Sequence, residues 1–242
     1  MTDNGTAIEA RSLSKRFGGV VAADEVNFKV RSGELRCMIG PNGAGKSTLF
    51  AMLCGIQRAD SGQIFFFGED VTHRQAFHRV QLGVGLTFQT NRAFHQLSVG
   101  ENLTIPQGSA KLENKAAGQE RLEFALDAFD LDPRDETKAG ELSHNQLQWL
   151  EIAMVLAGYP NLILLDEPTA GMATEETQQT AKVLKHLNAT GLTIVVVEHD
   201  MAFVRDIAQM VTVLHQGRIF AEDTVDKIIA HDDVRQIYLG RA

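Results

Sequence analysis

Cysteine is scarce in this chain: Cys37 and Cys54 are the only two among 242 residues. Two such residues build neither a disulfide framework nor a cysteine-based zinc site, and both lie in apolar or helical-looking sequence. They read as small buried side chains in a reducing compartment. Long hydrophobic runs are also missing. The longest, such as Leu162–Leu165 and Ile194–Val197, are far short of the ~20 residues that span a bilayer. Residues 1–10 carry neither the basic nor the apolar region of a signal peptide. The expectation is a cytoplasmic protein that touches a membrane only through a partner. Positive charge is in deficit, with Lys+Arg 23 against Asp+Glu 31 and a net charge of −8. Bulk nucleic-acid binding is therefore disfavoured, and a polyanionic ligand needs a local site. No H-E-x-x-H or G-x-S-x-G occurs, and Gly83-x-Gly85 lacks the third glycine of a dinucleotide fingerprint because Phe88 stands there.

What is present points to an α/β fold. With 44% apolar residues the chain can bury a sizeable core, and its short apolar runs alternate with helical-looking stretches, as in a buried, largely parallel sheet. Leu35–Ile39, Ser61–Gly68, Gly83–Phe88, Asn161–Leu165 and Thr193–Val197 read as strands, and Glu175–Leu187 as a crossover helix. From about residue 91 to 158 the texture is polar and helical: Leu122, Ala125, Leu126 and Phe129 fall at i, i+3, i+4, i+7, and a second pattern runs from Leu147 to Leu156. The expectation is one unit over 1–242, with 1–90 and 159–242 as the α/β core and about 91–158 as a helical insertion.

Three motifs carry chemistry. Gly40-Pro41-Asn42-Gly43-Ala44-Gly45-Lys46-Ser47-Thr48 fits the phosphate-loop pattern G-x-x-x-x-G-K-[ST], with a strand leading in and a helix leading out. Its glycines let backbone N–H groups converge on one point, and the helix N-terminus adds roughly half a positive charge. Lys46 supplies a full charge, worth about 4 kcal/mol toward a phosphate at ~4 Å in a partly screened site. Ser47 is placed to ligate Mg²⁺. The second motif, Ile163-Leu-Leu-Asp166-Glu167-Pro168, is an apolar strand ending in paired acids. Asp166 suits water-mediated Mg²⁺ coordination, and Glu167 suits polarisation of an attacking water. The third, Ile194-Val-Val-Val-Glu198-His199-Asp200, is a buried strand with a polar end. Ligands gather at the carboxyl ends of parallel strands, which brings His199 near a γ-phosphate.

Together these motifs resemble the nucleotide-binding subunit of ABC transporters over essentially the whole chain. The deciding stretch is Leu142-Ser143-His144-Asn145-Gln146, similar to the family signature L-S-G-G-Q. The resemblance implies a P-loop NTPase core with an N-terminal antiparallel β-subdomain and an inserted α-helical subdomain. It implies ATP and Mg²⁺ as ligands, Gln89 as the Q-loop glutamine at the metal, and Phe17 as the aromatic stacked on adenine. It also implies a head-to-tail pair of ATPase subunits in which Ser143 and Asn145 cap the partner's nucleotide in trans. Transmembrane permease subunits, docked near Gln89–Leu97 with Phe94 and Leu97 as contacts, and indirectly a solute-binding protein complete the implied assembly; nucleic acid is not among the partners. Lys15-Arg-Phe-Gly-Gly19, Ala170-Gly-Met172 and Tyr238-Leu-Gly240 resemble the ATPases of branched-chain amino-acid importers. The run Leu142-Ser-His144 with Gln148-Trp149-Leu150-Glu151-Ile152 is similar to the urea/amide branch of that group.

Two positions depart from the family pattern. Asn145 replaces a glycine; a left-handed backbone there would cost an ordinary residue roughly 1–2 kcal/mol, with Asn among the least penalised. Ala173 stands where many relatives carry an Asp that helps couple the two nucleotide sites. The expectation is weakened rather than abolished closure of the pair. The alternative is a subunit with a regulatory or weakly hydrolytic role.

Overall fold

Two sheets share the strands in the computed structural model, which describes residues 5–87, 93–108 and 115–239. The first sheet holds β1 (Thr6–Phe17), β2 (Val20–Arg31), β4 (Ser61–Phe66) and β5 (Glu69–Asp70) in the order β2-β1-β4-β5, all antiparallel. The second holds β3 (Leu35–Ile39), β6 (Val84–Leu86), β7 (Leu162–Asp166), β8 (Thr193–Val197), β9 (Met210–His215) and β10 (Arg218–Thr224) in the order β10-β9-β3-β8-β7-β6. It is parallel except for β10, which returns antiparallel to β9. The helices are α1 (Lys46–Cys54), α2 (Ala76–Gln81), α3 (Val99–Gln107), α4 (Lys115–Ala128), α5 (His144–Ala157), α6 (Thr174–Ala189), α7 (Met201–Ile207), α8 (Val225–Ala230) and α9 (Asp232–Leu239). The antiparallel sheet and the inserted helices agree with the implied architecture.

Side-chain alternation along the central strands feeds two cores. Leu35, Cys37, Ile39, Ile163, Leu165, Ile194 and Val196 point to one face and pack with buried residues of α4, α5, α6 and α7. Met38, Leu162, Leu164, Val195 and Val197 point to the other, against Leu49, Met52 and Leu53 of α1 and the inner face of the antiparallel sheet, including Phe28, Ile64 and Phe66. Helix α1 is thus held between two sheets. Both cysteines are free and buried, as their sequence context suggested, and burial pushes both thiols far up from their ordinary pKa.

The C-terminal end of α1 is fixed by a residue that sequence patterning does not single out. Arg79, in the six-residue α2, is 1% exposed. Its Nη1 donates to the Met52 carbonyl at 2.8 Å and to the Leu53 carbonyl, its Nη2 to Val71 O at 3.0 Å, and its Nε to Arg74 O at 3.2 Å. These carbonyls include the unpaired groups at the negative end of α1, which a cation stabilises. Burial pulls the guanidinium pKa down to about 10, so it remains charged at neutral pH.

β3 sits where the topology switches: β9 flanks it on one side and β8 on the other. Ligands of open parallel sheets collect at the carboxyl ends beside such a switch. The loop after β3, and the ends of β7 and β8, meet there.

Candidate functional site

Backbone sterics dictate the loop from Gly40 to Gly45. Gly40 (φ 156°) and Gly45 (φ 102°) lie in conformations that ordinary residues avoid, and a Cβ on them would stand 2.3 Å from Leu214 O and 2.2 Å from Ala22 O. Only glycine lets the loop pass between β9 and the β2 hairpin. Gly217 adds a second tie, accepting from Asp24 N at 2.8 Å and donating to Ala44 O at 2.9 Å. Gly45 then ends the loop as the N-cap of α1, without a side chain to cover the first N–H groups, which have no carbonyl of their own helix to bond. Asn42, Gly43 and Ser47 are exposed around this opening, with Pro41 and Thr48 half-buried. Lys46 is 7% exposed, and its Nζ donates to Gly40 O at 2.6 Å and Pro41 O at 3.1 Å. Burial lowers its pKa, while Glu167 and Asp166 oppose that shift. The lysine is therefore directed at the loop and lies within the field of both acids.

The ends of β7 and β8 supply the acids. Asp166 N accepts its place from Thr87, whose hydroxyl takes the hydrogen bond at 3.1 Å, and one carboxylate oxygen, Oδ1, is buried with no hydrogen-bond partner. Burial, with Glu167 and Glu198 nearby, raises the Asp166 pKa to about 6. A partnerless, desolvated carboxylate oxygen is donor chemistry that suits a hard divalent cation. Glu167 adopts φ 49°, a costly conformation for a residue with a Cβ. Its N–H donates to Val197 O at 2.9 Å, and its Oε1 stands 3.6 Å from His199 Nδ1. Lys46, Asp166, Glu167 and His199 are thus brought together.

Glu198 is the functional position that sequence reasoning passed over. It is 1% exposed, and among the described residues its one cationic neighbour at ion-pair distance is the His199 ring at 3.8 Å. Instead it accepts hydrogen bonds from the Thr169 hydroxyl at 2.5 Å and Thr169 N at 3.3 Å on one oxygen, and from His199 N at 2.9 Å and Asp200 N at 3.4 Å on the other. One buried carboxylate therefore clamps the turn after Glu167 to the turn carrying His199. Its only sequence signal was its place beside His199 at a strand end.

The signature-like turn forms a second cluster. Ser143 is the N-cap of α5, with a capping box to Gln146. Asn145 is the second residue of that helix and is not among the residues with positive φ. The anticipated backbone strain is absent, because the position is helical. Its side chain instead donates from Nδ2 to Glu176 Oε1 at 2.6 Å and accepts from the Ser143 hydroxyl on Oδ1. His144 Nε2 lies 3.3 Å from Ala170 O, and Gln148 Nε2 donates to that carbonyl at 3.1 Å. Phe17, at the end of β1, is 49% exposed, with the Lys15 ammonium 5.4 Å from its ring centre. Gln89 lies outside the described residues.

Phe94 is exposed and Leu97 half-buried, and neither lines the apolar groove that the structure reveals nearby. That groove, with a cavity of about 340 Å³, runs between Phe77, Val80 and Leu86 on one side and Ile105, Met154 and Val155 on the other. Phe77, Val80 and Ile105 are large apolar side chains left exposed. Sequence gave no sign of it because its lining comes from α2, β6, α3 and α5.

A phosphate loop at the sheet's switch point, opposed by paired strand-end acids, defines a P-loop nucleotide hydrolase. The ABC transporter family model matches residues 23–170, and the chain belongs to that family. The high-affinity branched-chain amino acid transport ATP-binding protein BraF of Pseudomonas aeruginosa is 34% identical over 250 residues, covering 97% of this chain and 98% of that protein. The lipopolysaccharide export system ATP-binding protein LptB of Acidithiobacillus ferridurans is 32% identical, covering 96% of each. An ATP-binding cassette of an ABC transporter solved in its ADP conformation superposes with a TM-score of 0.85 at 29% identity, covering 98% of this chain and 99% of that one. A dimeric cassette in a post-hydrolysis state, bound to ADP and Pi, superposes with a TM-score of 0.77 at 25% identity, covering 90% and 98%. The chain is an ATP-binding, ATP-hydrolysing subunit of an ABC transporter. No helix among the described residues is long and apolar enough to cross a membrane.

Proposed function

We propose that this subunit powers import of a small polar solute, a branched-chain amino acid or urea and short amides, from the cytoplasmic face of the membrane. The observation that carries the reading is end-to-end similarity to a branched-chain amino acid transport ATPase. In this reading a solute-binding protein feeds the permease, two ATPase subunits, identical or related, close on two ATP molecules, and residues 91–158 form the subdomain that turns against the core. The apolar groove beside Phe77 and Ile105 is the surface on which a permease helix docks.

Each site residue has a task in this reading. The backbone of Gly40 to Gly45 and the N-terminus of α1, through Ser47 and Thr48, cradle the β- and γ-phosphates, and Lys46 turns from the Gly40 and Pro41 carbonyls to the transferred group. Phe17 stacks on the adenine. Ser47, Gln89 and, through water, Asp166 would hold Mg²⁺, whose charge would offset that of the phosphates. Glu167 orients the attacking water and takes its proton as the bond from the γ-phosphorus to ADP breaks. His199, positioned by its N–H bond to Glu198, donates to the γ-phosphate. Ser143 and Asn145 sit against the partner subunit's nucleotide. The substitutions at 145 and 173 favour a second reading, a regulatory and weakly hydrolytic subunit, against which the full cis set of Lys46, Asp166, Glu167 and His199 weighs.

The test is uptake into proteoliposomes holding this chain with its permease subunits and a solute-binding protein. ATP-dependent accumulation of labelled leucine or urea, lost in Glu167→Gln, supports the reading. Solute movement only outward, or transport limited to sugars, overturns it. Equal stimulated turnover in wild type and Asn145→Gly removes the regulatory alternative.

A further inference from the structure

The side chain of Asn145 is spent inside its own subunit, and where it goes connects two parts of the ATPase. Its amide nitrogen donates to Glu176 Oε1 at 2.6 Å, while the other Glu176 oxygen, Oε2, accepts the N–H of Ala173 at 2.8 Å. Ala173 is the N-cap of α6 and has no side chain able to cap the helix, so Glu176 serves that end from the third helical position. Its amide oxygen meanwhile takes the Ser143 hydroxyl. One side chain thus joins the capping serine of α5 to the capping glutamate of α6.

Two neighbours repeat the link. His144 Nε2 and Gln148 Nε2 both reach Ala170 O, and the His144 ring faces Gly171, where a Cβ would stand in ordinary contact with it, 3.4 Å from Nε2. Further along the two helices, Trp149 Nε1 donates to the Thr180 hydroxyl at 2.9 Å. Ala170 N in turn donates to Glu167 O at 3.1 Å, and Thr169 is held by Glu198. The segment from Glu167 to Glu176 is therefore fastened at its start to the cis hydrolysis site and at its end to the signature turn.

We propose that Asn145 and Glu176 are a positioning pair that locks Ser143 to the loop following Glu167. The link thereby sets the resting position of that serine relative to the cis catalytic carboxylate, from which residues 91–158 turn. The two departures from the family pattern become one feature: the residue at 145 that replaces glycine grips the glutamate that caps the helix begun by Ala173. This inference rests on the transporter-ATPase reading for what Ser143 faces, but the lock itself does not.

The test is a donor–acceptor exchange in the full-length chain. Asn145→Asp sets a carboxylate against Glu176 and breaks the link; adding Glu176→Gln restores that one bond with donor and acceptor reversed, while the Ala173 N–H and the Ser143 hydroxyl remain donors. Hydrogen exchange across residues 169–176 and steady-state ATP turnover are measured for wild type, single and double variants. Asn145→Asp should speed exchange at Ala173 about tenfold and lower kcat with little change in KM for ATP, and the double variant should recover both. Wild-type exchange in Asn145→Asp, or a double variant no better than the single, overturns the pair. If exchange follows the pattern while wild type shows no turnover, the transporter reading fails and the lock stands.

Discussion

The phosphate loop and the signature turn both end in a helix N-terminus, but they are built from different parts of the chain. Around α1 the contacts are backbone: Gly40 and Gly45 pass within van der Waals limits of Leu214 O and Ala22 O, and no side chain caps the helix. Around α5 they are side chains: Ser143, Asn145 and Gln146 at the cap, and Glu176 across the gap. A cradle of backbone groups admits almost no substitution, because any Cβ moves the whole loop. A cluster of side chains can exchange members while keeping its hydrogen bonds, and this chain carries His144 and Asn145 where the signature written L-S-G-G-Q has glycines.

The largest effect expected is at the acid that both regions serve. Glu167→Gln should cut phosphate release by about 10²- to 10⁴-fold, the usual worth of a general base, and leave ATP binding intact by equilibrium dialysis. Lys46→Ala should weaken ATP binding by about 10³-fold, removing roughly 4 kcal/mol of charge interaction, as read by titration calorimetry. Gly45→Ala sharpens the comparison: its Cβ would lie 2.2 Å from Ala22 O, so ATP affinity should fall although no charged group is lost. Glu198→Gln leaves Thr169, His199 and Asp200 with fewer acceptors, a loss of about 1–3 kcal/mol. That should lower the melting temperature by about 2–4 °C per kcal/mol in a chain of this size. Asn145→Gly should show the least, about 1 kcal/mol of stability with single-subunit ATP affinity unchanged. An affinity loss there equal to that of Gly45→Ala would break the contrast between the two regions.

Legibility followed the same division. The loop and its flanks could be read because glycine spacing encodes backbone geometry directly, and Leu35–Ile39 and Thr193–Val197 are strands at the residues expected because fully buried parallel strands are continuous apolar runs. The helix over His144–Ala157 begins three residues before its apolar pattern, since its first turn is cap rather than core. β1 and β2 gave no such signal: exposed and partly buried residues are interspersed with buried ones along both, and Ser12 and Glu25 interrupt them at positive φ. Arg79 and Glu198 did not stand out as buried charges, because burial of a charge depends on partners distant in sequence, here the carbonyls of α1 and the hydroxyl of Thr169. The left-handed backbone weighed for Asn145 does not occur, and Glu167 is the site residue that adopts one. A strained backbone is set by how two strand ends meet, which local sequence does not record.

The central claim is that this chain, with Asn145 in its signature turn, still closes head-to-tail on ATP. The most direct measurement is the solution mass of Glu167→Gln by light scattering, with and without ATP and Mg²⁺. The account predicts a rise from one 26.6 kDa subunit to two on adding ATP, lost again in Lys46→Ala. A mass that stays at one subunit while bound ATP is detected would contradict it.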